Sequence, residues 1–201
     1  MTDQAPCALY YHLPEGIEAD AIAPFLPDLL ENAPCEAFRI GTTDPAATRR
    51  AIATLRPILH QYDVALMLTG QPALARQSNC DGTQIDPTVT DAAQARTQLG
   101  KDLQLGVACG LSRDAAMLAG ETGADYIAFE GNPTPLREQT QWWASVMELP
   151  AVAHSTTDIP AALALAEAGA DFLAIDLTGS ADQIPALEAL YGALMGAAHP
   201  G

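Results

Sequence analysis

Gly123-Ala124-Asp125-Tyr126-Ile127-Ala128-Phe129-Glu130-Gly131 follows an alanine-rich helical run, Arg113 to Glu121. The stretch reads as a glycine that ends a helix in the left-handed region, an aspartate, a short buried strand and a polar turn. The same pattern returns as Gly169-Ala170-Asp171-Phe172-Leu173-Ala174-Ile175-Asp176 after Ala161 to Ala168, and more weakly as Asn79-Cys80-Asp81-Gly82-Thr83-Gln84-Ile85-Asp86 after Pro72 to Gln77. Three helix–turn–strand units with one punctuation mark a repeated βα module. Each of the three strands ends in an acid: Asp86, Glu130 or Asp176. If the strands are parallel, those acids reach one rim.

Working outward, the rest of the chain has the same rhythm. Cys7 to Leu13 is an apolar run read as the first strand. Ile17 to Asn32 has helical periodicity interrupted by Pro24 and Pro27, so this helix is expected to be short or broken. Ala37–Ile40 is a short second strand, and Thr43-Asp44-Pro45 caps a helix to about Gln61. Val64 to Leu68, Gly82 to Ile85, Leu103 to Ala108, Tyr126 to Phe129, Pro150 to Ala153 and Phe172 to Ile175 read as strands three to eight. Helices are expected over Pro72 to Gln77, from the Thr90-Asp91 cap to about Gly100, from Ser112, over Leu136 to Met147, from Thr157, and from about Ser180 to Met195. Eight strands alternating with eight helices predict an α/β fold, a single (β/α)8 TIM barrel over residues 1–201. An open doubly wound sheet lacks support, because the glycine fingerprint after strand one is missing.

Composition narrows the function. Of 201 residues, 49% are hydrophobic but only 5% aromatic, which suits small alanine-rich helices on a buried sheet. Lys and Arg number 9 against 25 Asp and Glu, a formal charge of −16, so nucleic acid and anionic membranes would be repelled. No apolar run reaches the ~18 residues of a membrane helix. Met1-Thr2-Asp3-Gln4 has neither a basic start nor a signal core, and the expected location is cytoplasmic. Cys7, Cys35, Cys80 and Cys109 form no C-x-x-C pair and read as buried thiols. Of Trp142 and Trp143, one is expected to face the sheet.

In a barrel of this kind the site lies at the carboxyl ends of the strands. His154 is the leading catalytic candidate, an acid/base with Glu130 and Asp176 on flanking strands to tune it. Strand-end histidines are also often held structurally, and His12, likewise at a strand end, is the weaker functional candidate because Tyr10 and Tyr11 beside it suggest packing. Arg39, Thr69, Gln84 and Cys109 are candidate substrate contacts. So are the small residues after strands seven and eight, Ser155, Thr156, Thr178 and Gly179, where barrels often bind phosphate. They are equally ordinary helix caps. Asp86 is the candidate Mg²⁺ ligand. Because alternate residues point inward, about half of this set should face the mouth, and the sequence leaves open which half.

Two scaffold runs resemble thiamine phosphate synthases and the related thiazole tautomerases. One is Leu105-Gly106-Val107-Ala108-Cys109-Gly110, continuing through the helix to Gly123–Phe129. The other is Leu149–Ala153, followed by a helix and Ala168–Ile175. Leu9-Tyr10-Tyr11 and Tyr62–Leu66 fit the same template. The resemblance covers nearly the whole chain. It implies a barrel, a homodimer, a phosphorylated small-molecule substrate and Mg²⁺, with a hydroxymethylpyrimidine diphosphate coupled to a thiazole phosphate. The chemical motifs depart from that pattern. Only Arg39 remains of the cationic segment ending strand two, the metal-binding Asp position falls on Gly70, and the loop Asn132-Pro133-Thr134-Pro135 lacks the lysine that meets pyrophosphate. Arg137 lies just beyond that loop. Three readings follow: a synthase-like enzyme with a diverged site, a non-catalytic barrel binding a metabolite or protein, or an isomerase or hydrolase using His154.

Overall fold

The computed structural model describes residues 6–198; the amino-terminal stretch Met1-Thr2-Asp3-Gln4, read above for its lack of a signal, lies outside them. Eight strands run parallel and close on themselves in sequence order. They are β1 (Ala8–Leu13), β2 (Ala37–Ile40), β3 (Ala65–Thr69), β4 (Gly82–Ile85), β5 (Gln104–Gly110), β6 (Tyr126–Phe129), β7 (Ala151–Ser155) and β8 (Phe172–Asp176). Closure pairs β8 with β1, from Ala8 against Phe172 to His12 against Asp176. Around the barrel lie α1 (Ala19–Ile22), α2 (Leu26–Asn32), α3 (Pro45–Gln61), α4 (Pro72–Gln77), α5 (Ala92–Leu99), α6 (Arg113–Glu121), α7 (Pro133–Val146), α8 (Ile159–Glu167) and α9 (Ile184–Ala198). None of the described helices is long and apolar enough to cross a membrane.

The repeated punctuation has a physical basis at both ends of the turn. Asn79, Gly123 and Gly169 adopt φ of 50°, 86° and 95°, the left-handed conformation that stops a helix. Gly169 is required twice over, since a Cβ there would lie 2.5 Å from Ala144 Cβ. Two residues on, each aspartate accepts a hydrogen bond from the backbone N–H that opens the preceding odd-numbered strand or its second residue. Asp81 takes Leu66 N–H at 2.7 Å, Asp125 takes Leu105 N–H at 2.7 Å, and Asp171 takes Ala151 N–H at 2.8 Å. The three aspartates thus stitch β4 to β3, β6 to β5 and β8 to β7 at the barrel floor.

Several boundaries differ from expectation. The first helix is split into α1 and α2, with Pro24 between them and Pro27 in the first turn of α2. α7 starts at Pro133, three residues early, because a proline at the first helical position has its φ already set. A 3₁₀ turn, Ala181–Gln183, precedes α9. β5 and β7 each continue two residues past the expected end, to Gly110 and Ser155, so His154 lies within a strand.

Two apolar layers result from strand alternation. The outer layer joins strands to helices and includes Leu9, Tyr11, Phe38, Ile127, Phe129 and Leu173, each side chain worth about 1.5–3 kcal/mol on burial. Trp143 belongs to it, packed edge-on against Phe129, while Trp142 is half-buried under the Arg113 guanidinium, 4.6 Å from its ring centre. The inner layer, Tyr10, Met67, Tyr126, Ala128, Val152 and Ala174, fills the barrel. Its centre is polar. The Tyr10 and Tyr126 hydroxyls meet at 3.1 Å, and Tyr126 O–H donates to Gln84 Oε1 at 3.4 Å. Gly106 makes room for this, since a Cβ on it would lie 2.1 Å from Tyr126 Cζ.

Candidate active site

The inner layer fixes which strand-end residues face the mouth. Two residues beyond Tyr10, Ala37, Met67, Gly82, Val152 and Ala174 stand His12, Arg39, Thr69, Gln84, His154 and Asp176. Glu130 follows Ala128 in the same way.

Four of these form one connected chain. Asp176 Oδ1 lies 2.7 Å from His12 Nδ1 and 3.1 Å from His154 Nε2. On the far side of the second ring, His154 Nδ1 is 3.3 Å from Glu130 Oε1. A carboxylate only accepts, so Nδ1–H of His12 and Nε2–H of His154 donate. The two imidazoles are pushed apart in basicity. For His154, the hydrogen bond to Asp176 outweighs burial, and Glu130 adds to it, raising the pKa above the usual 6.5. For His12, burial dominates, and Arg39 and His154 repel a second proton, so its pKa is lowered. The bonds from His12 and His154 hold Asp176 well below the ordinary carboxylate range. The array thus sets an ionised Asp176 between a ring that resists protonation, His12, and one that takes a proton more readily, His154.

Beside His12 on the neighbouring strand, Arg39 donates from Nη1 to Thr69 Oγ1 at 3.2 Å, and its buried Nε has no protein partner. Arg39, Gln84, Glu130 and His154 share a small cavity of about 60 Å³ at the mouth. A larger cleft of about 930 Å³ opens from Glu130, His154 and Asp176 outward between α7 and α8. Its wall includes Arg137, Ser155, Thr156 and Thr178.

The remaining expected site residues fall elsewhere or are occupied locally. Cys109 points away from the mouth: it follows inward-facing Ala108, lies in the outer layer with Sγ on Val107 O, and burial pushes its thiol up to about 12. Its expected substrate contact is therefore corrected. The Asp86 carboxylate is turned onto its own loop, accepting from Thr88 N–H at 2.8 Å and Thr88 O–H at 2.7 Å. Ser155 O–H donates to Thr156 O, and Thr156 Oγ1 accepts from Asp158 N–H. Thr178 donates both its N–H and O–H to Gln183 Oε1. Gly179, at φ 80°, makes a tight turn against Ile17. His12, the weaker of the two histidine candidates in the sequence, meets Asp176 at the centre of the array. The signal for it was parity: Tyr11 turns outward, its hydroxyl donating to Ala33 O at 2.7 Å, which sends His12 inward.

The Mg²⁺ implied by the resemblance lacks its ligand at Gly70, and the mouth carboxylates among the described residues, Glu130 and Asp176, are turned onto histidines. Mg²⁺ favours an octahedron of oxygens, usually one or two carboxylates with water and phosphate. Gly70 offers no side chain and Asp86 is engaged by Thr88. Among the described residues, the convergent donors are His12, His154 and Asp176, two nitrogens to one carboxylate.

Fold and mouth together define a (β/α)8-barrel protein with a candidate small-molecule site at the carboxyl ends of its strands. The profile of the thiamine monophosphate synthase family matches residues 29–176, and the chain belongs to that family. It is 38% identical over 186 residues to thiamine-phosphate synthase of Rhodospirillum centenum, covering 87% of this chain and 88% of that one. It is 36% identical over 164 residues to the enzyme of that name from Erythrobacter litoralis, covering 76% and 77%. Among solved structures, thiamine phosphate pyrophosphorylase from Pyrococcus furiosus aligns with a TM-score of 0.76 at 19% identity, over 94% of this chain and 96% of that one. At that identity the likeness speaks for the fold alone.

Proposed function

We propose that this chain binds a small phosphorylated heterocycle at the barrel mouth and acts on it by proton transfer, not by the coupling reaction for which its family is named. The carrying observation is the single Asp176 oxygen between two imidazoles, 2.7 Å from one and 3.1 Å from the other. In this reading His154 exchanges the proton with substrate, Asp176 orients both rings, and Glu130 sustains the basicity of His154. Arg39, with its free Nε, takes the anionic group, and Thr69 and Gln84 line its approach. Coupling would place a departing pyrophosphate beside Asp176 and Glu130, with Arg39 the one permanent cation at the strand ends among the described residues. That arrangement opposes the charge the leaving group develops. In the same reading the chain is one domain, working in the cytoplasm as the homodimer that the resemblance implies.

Isothermal titration with thiazole phosphate and with pyrophosphate, each with and without Mg²⁺, tests this. The expected result is Mg²⁺-independent binding of thiazole phosphate, weakened about tenfold or more in Arg39→Ala by loss of a charge-assisted contact. Exchange of carbon-bound protons of the bound ligand with heavy water, followed by NMR, should be lost in His154→Ala. The identity to named synthases over most of the chain favours a second reading, the coupling reaction itself. Micromolar, Mg²⁺-dependent pyrophosphate binding would establish that second reading and overturn the first.

A further inference from the structure

We infer that His12, His154 and Asp176 form a binding site for one divalent ion of the zinc class, such as Zn²⁺ or Co²⁺. The three side chains come from three consecutive strands of the closed barrel, β7, β8 and β1, so the scaffold holds them on rigid elements. One donor atom from each lies within 4.8 Å of the other two. His12 and Asp176 are level in the strand register, and His154 is level with Ala174, two residues below Asp176. The donors therefore form a triangle and not a row.

The donor type selects the ion. Two imidazoles and one carboxylate suit borderline ions, which bind nitrogen at about 2.0–2.1 Å and accept three protein ligands with an open fourth position. An oxygen-seeking ion such as Mg²⁺ is poorly matched. The surroundings fit as well. Metal-binding histidines usually have their second ring nitrogen on a carboxylate or carbonyl. Here Glu130 Oε1 occupies that place, 3.3 Å from His154 Nδ1, on the opposite side of the ring from Asp176. His154 and Asp176 also line the large cleft, from which a water or ligand atom can approach them. Cys35, Cys80 and Cys109 lie in the outer layer with Cys7 packed against it, so a thiol takes no part in the triangle.

An ion here would replace the protons that now link Asp176 to the two rings. His154 Nε2 would then be a ligand, and the proton-carrying duty would pass to Glu130. The inference stands on the donor geometry and does not depend on the proposed substrate.

The test is a titration of the chelator-stripped full chain with Co²⁺, read by its visible d–d absorption, and with Zn²⁺ by calorimetry. One equivalent should bind, with no thiolate charge-transfer band. His12→Ala and His154→Ala should each lose about 100-fold or more in affinity, and Glu130→Gln about 10- to 100-fold. Thermal melts in chelator check that each variant is folded, and His154→Gln replaces any alanine variant that is not. The inference is overturned if no saturable binding occurs, if Mg²⁺ binds more tightly than Zn²⁺, or if binding survives loss of His154. Thiazole phosphate titration in chelator then reports separately on the substrate reading.

Discussion

The acids at the floor of the barrel and those at its rim come from the same repeated stretch but meet different partners. At the floor, Asp81, Asp125 and Asp171 accept backbone N–H groups of the neighbouring strand at 2.7–2.8 Å. At the rim, Asp176 and Glu130 meet imidazoles at 2.7–3.3 Å. A backbone N–H is supplied by any residue, so a floor acid needs only the module that contains it and the one before. The rim acids need particular side chains, one of them 164 residues away across the closure of the barrel. This separation matches the division of labour in such barrels, with stability at the amino ends and chemistry at the carboxyl ends.

The sharpest way to break that division is to remove an acid from each end. Asp125→Ala should show the largest effect, a loss of about 2–3 kcal/mol in urea denaturation. It strands the Leu105 N–H and removes the ionic partner of Arg96, whose guanidinium keeps only the carbonyls of Gly100, Leu103 and Gly123. Asp81→Ala, without an arginine partner, should cost about 1–2 kcal/mol. Asp176→Asn should stay within about 1 kcal/mol, because a half-exposed ion pair contributes little after screening. A loss at Asp176 equal to that at Asp125 would make the rim acid structural and collapse the comparison.

The same contrast explains what the sequence could reveal. Helix stops, aspartates and strand cores lie within ten residues of one another, so the module and the barrel were legible from local pattern. Inward or outward parity was not, because it depends on which face the barrel closes over. The ends of β5 and β7 were set two residues short for a related reason: Cys109-Gly110 and His154-Ser155 are polar or small, and only pairing with a neighbouring strand extends them. Cys109 thus reads as a mouth residue although it lies in the outer layer, and His12 reads as the weaker histidine candidate although it meets Asp176. Glu130, His154 and Asp176 were readable as strand-end candidates. Their connection through one Asp176 oxygen was not, since it joins β1 to β8.

The electrostatic side of the comparison is sharpened by the Asp176→Asn variant, followed by imidazole NMR in chelator. Asp176 is the leading cause of the raised pKa of His154, so the variant should lower it towards or below 6.5. In wild type, the stability gained from protonated His154 is fully present below 6.5 and is lost as pH rises through the higher folded value. His12 works in the opposite sense. Its lowered pKa gives stability that is present above 6.5 and is lost as pH falls through the folded value. In the variant, the His154 contribution should fade from the acid side of the pH–stability curve, where the wild type has it in full. His12, deprived of its bond to the carboxylate, should become still harder to protonate. An unchanged His154 titration would mean that another group sets its basicity.

Glu130→Gln is the smallest and most discriminating change. Its carboxylate is largely exposed and lies 3.3 Å from His154 Nδ1, against 3.1 Å for Asp176 on the less exposed side. Water screens the outer acid more, so its hold on the imidazolium should be the weaker of the two. The variant should lower the His154 pKa by less than Asp176→Asn does and reach His12 only indirectly, through the charge on His154. Equal shifts in the two variants would put the centre of the array at Glu130, on the cleft side. A smaller one keeps it at Asp176, the point where β8 closes on β1 and both histidines meet one oxygen.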